Sequence, residues 1–231
     1  CSNLKKIIIP ENVLYIYSSA FTTCKNLEGI EYSSDSQVTD IASNLFYNCT
    51  ALKSYSCPDS ITTMGNYAFY GCTSLQNIKL NQGLTYIGYQ SFYNCKSLEK
   101  IDVPNTVTNI YGYAFQNCTN LKHIVLQEGF QKFASYVFYG CTSLESMVVP
   151  RTVTADFSNV FDSEAYVTIY GYKGSTAETT ANSLEFPFIQ MGDMNGDVSV
   201  SDSDYATMTN IANSTTQPTK EQAIAADMTC D

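Results

Sequence analysis

Apolar and polar positions recur along residues 1–164 with a period of about 23 residues. Each repeat contains an alternating segment such as Lys100-Ile101-Asp102-Val103, which predicts a short strand with one buried face. The residues that follow carry apolar side chains three and four positions apart, as at Val107, Ile110 and Ala114, which indicates an irregular or short helical return. One such unit cannot bury its apolar edge alone, so the pattern predicts a solenoid of stacked copies.

Seven cysteines mark the phase of this repeat. A leucine follows each of them by three residues, and a phenylalanine precedes all but the first by three. One repeat has 25 residues and holds the extra two near Ser33–Ser36, a polar run typical of a loop. The seven positions are Cys1, Cys24, Cys49, Cys72, Cys95, Cys118 and Cys141.

The unit Ala114-Phe115-Gln116-Asn117-Cys118-Thr119-Asn120-Leu121-Lys122-His123-Ile124-Val125-Leu126 resembles the BspA-like leucine-rich repeats of bacterial surface proteins. The resemblance implies an α/β leucine-rich-repeat solenoid and a secreted or cell-surface binding module. Cys1 fits the repeat phase, so the chain is expected to start within a repeat and to continue a longer protein. The alternative for Cys1 is the lipid-modified first residue of a lipoprotein.

The cysteine row predicts free buried thiols. Cysteine is a small apolar residue with a weak donor, which suits a narrow interior turn. Adjacent rungs of a solenoid lie about 4.8 Å apart, within the Cα range of a disulfide. Stacked side chains point in parallel, however, and a disulfide needs a dihedral near a right angle. A one-dimensional row of thiols also offers no tetrahedral metal site.

The repeat gives way to a cap at residues 165–191. Glu164 replaces the next expected cysteine, although Phe161 keeps the phase. Ser175 with Glu178 three residues later forms a capping-box pattern, which predicts a helix starting at Ser175. The segment Leu184–Ile189 is expected to form a closing strand, since terminal repeats need a cover.

Charge and composition exclude some partners. The formal net charge is −10, which disfavours nucleic acid because phosphate contacts need Lys and Arg. Negative charge also disfavours anionic membrane surfaces. No apolar run approaches the roughly 20 residues that a membrane span needs, so membrane insertion is not expected.

A different pattern begins at Gly192 and follows the EF-hand loop, with oxygen ligands at alternate positions and an acidic last residue. These ligand types suit Ca²⁺, a hard cation, as the cofactor. Val198 stands where such a loop has glycine, which is expected to weaken binding. An unrelated calcium loop or a solvated acidic loop are the alternatives. The predicted ligands are Asp193, Asn195, Asp197, Ser199, Ser201 and Asp204.

The loop and the single helix expected after it resemble a type I dockerin over residues 192–231, because the loop closes with Asp204. Asp227, Thr229 and Asp231 look like the first ligands of a second calcium loop that is truncated. The resemblance implies calcium-dependent docking to a cohesin on a scaffoldin, as in cellulosomes. The hydroxyl and basic pairs common in dockerins are missing, which leaves the cohesin type open. Cohesin contacts carried over from the family would be Asp202, Ser203, Tyr205, Met208, Thr209 and Asn210.

The repeats predict contacts rather than chemistry. His123, the only histidine, is expected at a solvated outward strand position. The sequence shows no Ser or Cys nucleophile motif and no base that would activate such a nucleophile. Rows of tyrosines are interpreted as half-buried packing, with sugar or protein stacking as the alternative. Outward strand positions form a mixed row for an unknown protein or carbohydrate ligand. They are Lys6, Ile8, Gly29, Glu31, Ser54, Ser56, Asn77, Lys79, Lys100, Asp102, His123, Val125, Ser146 and Val148.

The sequence therefore predicts a non-catalytic extracellular binding or adhesion module attached to a scaffoldin. The alternative is an accessory region of a longer secreted, dockerin-bearing glycoside hydrolase or peptidase whose catalytic domain lies before Cys1.

Overall fold

A computed structural model of the chain describes residues 1 and 3–191. The alternating segments form short parallel strands, as predicted, and neighbouring strands pair in register one repeat apart, for example His123 with Ser146. The long strands are β1 (Lys6–Ile9), β2 (Gly29–Tyr32), β4 (Ser54–Ser56), β6 (Asn77–Lys79), β8 (Lys100–Asp102), β10 (His123–Val125), β12 (Ser146–Val148), β13 (Thr168–Gly171) and β14 (Phe188–Gln190).

A second row of two-residue strands runs along the returns, where the sequence left open an irregular or short helical path. These strands are β3 (Asp40–Ile41), β5 (Thr63–Met64), β7 (Tyr86–Ile87), β9 (Asn109–Ile110) and β11 (Lys132–Phe133). They pair in parallel with their counterparts in neighbouring repeats. The helical option is wrong for the described repeats, whose fold is a parallel β-solenoid with few helices.

Hydrogen bonds between rungs explain why the returns are not α-helical. Phe115 donates its N–H to Val137 O (3.0 Å) and Asn117 donates to Tyr139 O (2.8 Å), both one repeat further along the chain. An α-helix would need these donors for carbonyls four residues back in its own turn. Tyr113 and Asn117 also adopt left-handed φ angles of 57° and 59°, which interrupt a right-handed helix.

Phenylalanine rings stack through the middle of the solenoid. Phe69, Phe92 and Phe115 lie with ring centroids 5.2–5.3 Å apart and planes within 5° of parallel. All three are fully buried. The spacing of the rings follows the spacing of the rungs, so each ring packs against its neighbours on both faces.

The cysteine row lies beside these rings and is buried from Cys24 onward, as predicted, whereas Cys1 is exposed. Cys118 donates its S–H to Phe92 O (3.1 Å), and the same carbonyl accepts the N–H of Cys95 (3.0 Å). Equivalent thiol bonds recur in four other rungs. The thiols therefore complete the hydrogen bonding of buried carbonyls between rungs.

Residues beyond Glu164 continue the long-strand sheet, because β13 pairs with β12 and β14 pairs with β13. A 3-10 turn (Ser158–Val160) precedes them, and helix α1 (Thr176–Ser183) follows β13. The closing strand is β14, shorter and later than the predicted Leu184–Ile189.

A helix begins after Ser175 as predicted, but neither of the two reciprocal bonds of the predicted capping box forms. Ser175 is the N-cap of α1, but its hydroxyl makes no capping bond and is buried without a partner. Glu178 accepts a hydrogen bond from Gly174 N (2.6 Å), one residue before the N-cap. The carboxylate therefore stabilises the approach to the helix rather than the N-cap residue itself.

Asp162 ends the hydrogen-bond ladder of the returns. In the preceding rung Asn117 donates to a backbone carbonyl, whereas Gly140 at the equivalent position donates to the Asp162 side chain (2.8 Å). The carboxylate takes the place of a further rung's carbonyl.

Candidate binding surface

The outward side chains of the long strands form two straight columns, which we call the strand face. Strand alternation turns every second residue outward, and the in-register pairing stacks those residues one rung above another. One column holds Lys6, Gly29, Ser54, Asn77, Lys100, His123 and Ser146, and the other holds Ile8, Glu31, Ser56, Lys79, Asp102, Val125 and Val148. The outward row expected from the sequence thus lies on one side of the solenoid, where strand ladders join β1 with β2, β4 with β6, and β8 with β10 and β12.

The half of the strand face from β2 to β8 is polar and open. A shallow groove of about 410 Å³ crosses it, with Ser54, Lys79, Lys100 and Asp102 on its walls. At one edge Lys6 Nζ lies 3.8 Å from a Glu31 carboxylate oxygen, and both side chains are largely exposed. The groove carries both signs of charge, with Glu31 and Asp102 against Lys79 and Lys100, and such an arrangement suits a partner with complementary charges of both signs.

Two tyrosines form the floor of this region. The hydroxyls of Tyr32 and Tyr55 lie 3.1 Å apart and share a hydrogen bond, and the rings meet edge to face. Burial raises the pKa of Tyr32 to about 12. The hydroxyls therefore stay protonated at neutral pH, and the Tyr55 ring, which is 2% exposed, presents no open face to a ligand.

His123 is half-buried, contrary to the expected solvated position, and its Nδ1 lies 2.9 Å from Ser146 Oγ. Burial lowers the pKa of His123, which favours the neutral imidazole. A neutral histidine beside a serine is the start of a nucleophile–base pair. Ser146 is only 6% exposed, however, so a substrate has no access to its hydroxyl.

The tyrosines of the returns pack against one another. Tyr47, Tyr70 and Tyr93 stack with centroids 4.6 Å apart and planes 5° from parallel, and all three are half-buried. The preferred interpretation, half-buried packing, is confirmed for these three rings, whereas Tyr139 of the same register and Tyr136 of the second register are each 43% exposed. Stacking on a sugar needs an open ring face, and the faces between these rings are already occupied by the neighbouring rings.

The other half of the strand face is apolar and closed. Val125 and Val148 were expected among the solvated outward residues, but they are 2% and 0% exposed. They form a cluster with Tyr170, Tyr172 and Met191, separate from the core between the sheets. The feature of the sequence that could have indicated this burial is the pair of successive outward valines, followed one rung later by a tyrosine.

Comparison with known families matches the chain to the BspA type leucine rich repeat region in six copies, over residues 1–111 and 39–168. The chain belongs to this family. No curated protein matches the chain.

Solved structures show the same fold for this BspA-type chain. A leucine-rich repeat protein from Bacteroides ovatus is 25% identical, with a TM-score of 0.57, over 74% of this chain and 45% of that one. The leucine-rich repeat protein of T. pallidum is 22% identical (TM-score 0.52), over 80% of this chain and 85% of that one. The pneumococcal vaccine antigen PcpA is 18% identical (TM-score 0.54), over 81% and 68%. The chain thus spans less than half the length of the Bacteroides protein.

These matches are to repeat proteins of a non-catalytic fold class. Within residues 1 and 3–191, no group of three or more His, Cys, Asp and Glu side chains is arranged to hold a metal ion. In that same part of the chain, no helix is long and apolar enough to cross a membrane.

The predicted calcium ligands and cohesin contacts lie outside the described residues. They comprise Asp193, Asn195, Asp197, Ser199, Ser201, Asp204, Asp227, Thr229 and Asp231 for the metal, and Asp202, Ser203, Tyr205, Met208, Thr209 and Asn210 for cohesin. They stay predictions.

Proposed function

We propose that this BspA-type repeat is a non-catalytic extracellular module that binds a protein through the open half of its strand face. The observation that carries the proposal is the aligned pair of columns between β2 and β8, with Lys79, Lys100 and Asp102 on one groove. At this groove a protein partner fits better than a carbohydrate, because Tyr32 and Tyr55 below it are packed edge to face against each other. Mixed charge gives specificity for a complementary protein surface.

An extracellular location has two supports. The repeat unit resembles those of bacterial surface proteins, and one structural neighbour is a pneumococcal vaccine antigen. Immunofluorescence on intact cells with antibodies against residues 1–191 tests it, and signal only after permeabilisation would contradict it.

Charge reversal tests the strand-face site. The chain is screened by surface plasmon resonance against immobilised extracellular proteins and against a glycan array, and we expect protein hits. The double variant Lys79→Glu, Lys100→Glu should weaken binding at least about tenfold, since close charge pairs at interfaces carry specificity.

The matched control makes the same charge change away from the strand face. Lys25→Glu with Lys96→Glu alters two exposed lysines that directly follow row cysteines, and it should leave binding within about twofold. Equal losses in both double variants, or binding to glycans alone, would contradict the proposal.

For residues 192–231 we infer a dockerin segment that holds Ca²⁺ and attaches the module to a cohesin on a scaffoldin. Three carboxylates at Asp193, Asp197 and Asp204, with the amide oxygen of Asn195, form a donor set that suits calcium. Bound calcium would order the loop and, through it, the expected helix with Tyr205 and Met208.

Calorimetry separates the two parts of this inference. Asp193→Asn removes a ligand and should weaken both calcium and cohesin binding. Asp202→Asn leaves the predicted ligands intact, so it should weaken only cohesin binding. Cohesin binding that persists in chelator, or no binding to any cohesin of the host, would contradict the docking role.

The alternative is that the repeats are an accessory region of a longer secreted, dockerin-bearing glycoside hydrolase or peptidase. A hydrolase motif encoded before Cys1 would favour this alternative.

A further inference from the structure

The strand face changes character between β8 and β10. Lys79 and Asp102 are exposed in one column, whereas Val125 and Val148, the next two residues of that column, are almost completely buried. Alternation turns these valines away from the core that holds Ile124. Burial on the outer face of a sheet requires a second layer over it.

Side-by-side packing with the last rungs of the same sheet accounts for part of this burial. Tyr170 pairs with Val148 in register and Ile189 pairs with Tyr170, so both continue the valine column. Tyr172 joins the cluster, and the Arg151 guanidinium lies 3.9 Å from the centre of its ring. Arg151 is itself exposed and gives the cluster a positive rim.

Met191 connects the cluster to the remainder of the chain. It is 3% exposed and donates its N–H to Gly171 O (2.6 Å), which fixes it beside β13. Residues 192–231 start at the next position. The covalent connection through Met191 gives the segment a high effective concentration at the cluster.

The composition of that segment complements the cluster. It carries seven Asp and Glu against one Lys, opposite in sign to Arg151 on the rim. Ile211, which is not among the predicted cohesin contacts, supplies an apolar side chain on the helix expected there. A 40-residue segment has too little core of its own to be stable without metal or packing support.

We propose that residues 192–231 pack on the cluster of Val125, Val148, Tyr170, Tyr172 and Met191. The strand face is then shared between two uses. Its apolar half holds the chain's own C-terminal segment, and its polar half is left for the partner. The segment then occupies a fixed position beside the groove instead of being connected only through a flexible linker.

Hydrogen exchange of the full chain, with and without calcium, tests the packing. Val125→Ser with Val148→Ser should raise the exchange rate of amides in residues 192–231 at least about tenfold. Amides between Cys72 and Leu98 report on the core and should exchange as before. Ile8→Ser is the matched control, because Ile8 is an outward residue of the same column but 68% exposed, and it should change neither region.

A milder variant covers the case in which the double serine variant does not fold. Arg151→Glu reverses the rim charge without touching the valines, and it should also speed exchange in residues 192–231. Unchanged exchange there in both variants, or no protection of that segment in the unaltered chain, would overturn the proposal.

Sedimentation velocity tests the alternative that a second copy of the chain, rather than residues 192–231, covers the cluster. A second copy of the chain on the cluster would give a dimer that the valine variant dissociates, and that result would also overturn the proposal. The packing does not depend on the dockerin role. If calcium calorimetry shows no binding while exchange still responds to the valine variant, the dockerin inference fails and the packing stands.

Discussion

The phenylalanine stack makes a quantitative prediction about how stability is distributed along the solenoid. Phe92 is fully buried and stacks on both faces, against Phe69 at 5.3 Å and Phe115 at 5.2 Å. Phe21 is 9% exposed and stacks on Phe46 alone, at 5.7 Å. Both rings have the same chemistry, so the difference between them measures the contribution of the second neighbour.

Removal of a buried phenylalanine ring costs about 3–5 kcal/mol, and each aromatic pair contributes about 0.5–1.5 kcal/mol beyond its buried area. Phe92→Ala loses two aromatic pairs and leaves a closed cavity, so it should lower the free energy of unfolding by about 4 kcal/mol. Phe21→Ala loses one pair at a partly open end, so about 2–3 kcal/mol is expected. In a domain of this size the first loss lowers the melting temperature by roughly 8–16 °C.

Urea unfolding followed by circular dichroism and by tyrosine fluorescence measures both free energies of unfolding, since the chain has no tryptophan. The two signals must coincide for a two-state treatment. Phe92→Leu is the conservative control and should recover at least half of the loss. A cost for Phe92→Ala below about 2 kcal/mol, or no greater than that for Phe21→Ala, would refute the nearest-neighbour reasoning.

Three further predictions concern the thiols and the close packing of rungs. In a Cys230→Ser variant, a thiol reagent should label Cys1 promptly and the seven buried cysteines only in denaturant; rapid native labelling of more than one thiol would contradict their burial. Burial raises the pKa of Cys49 to about 12 from an ordinary value of 9.0. Unfolded thiols therefore lose protons above pH 9 while the folded one keeps its proton, so stability is complete below pH 9 and falls towards pH 12, by about 1.4 kcal/mol per pH unit for each such thiol. A urea midpoint that is unchanged between pH 8 and 10.5 would contradict this. A methyl group added at Gly88 would meet a backbone oxygen of the preceding rung at 2.6 Å, so Gly88→Ala should cost about 1–3 kcal/mol in thermal unfolding, whereas Gly29→Ala, with nothing within 4 Å, should be neutral or slightly stabilising.

The returns show where a local pattern is insufficient. Val107, Ile110 and Ala114 have helical spacing, yet the chain there forms β9 and a left-handed turn. Apolar spacing reports which side chains face inward. It does not report whether a backbone N–H bonds within its own turn or to the next rung, and that choice decides between helix and strand.

The capping box shows a similar limit. Ser175 and Glu178 have the right spacing, but the serine hydroxyl is buried without a partner and the carboxylate bonds one residue earlier. Residue types at a fixed spacing make the bonds possible, and the entry angle of the chain, set by packing of β13 and α1, selects which of them form.

The sequence by itself determined the repeat length, the inward positions and the row of buried cysteines. Each depends on strand alternation and on a constant period, which are local and therefore readable along the chain. The tertiary structure alone decided that Val125 and Val148 are buried while Asp102 in the same column is open, and that His123 meets Ser146. These features depend on what the neighbouring rungs place above and beside a residue, and the alternation within a single repeat does not contain that information.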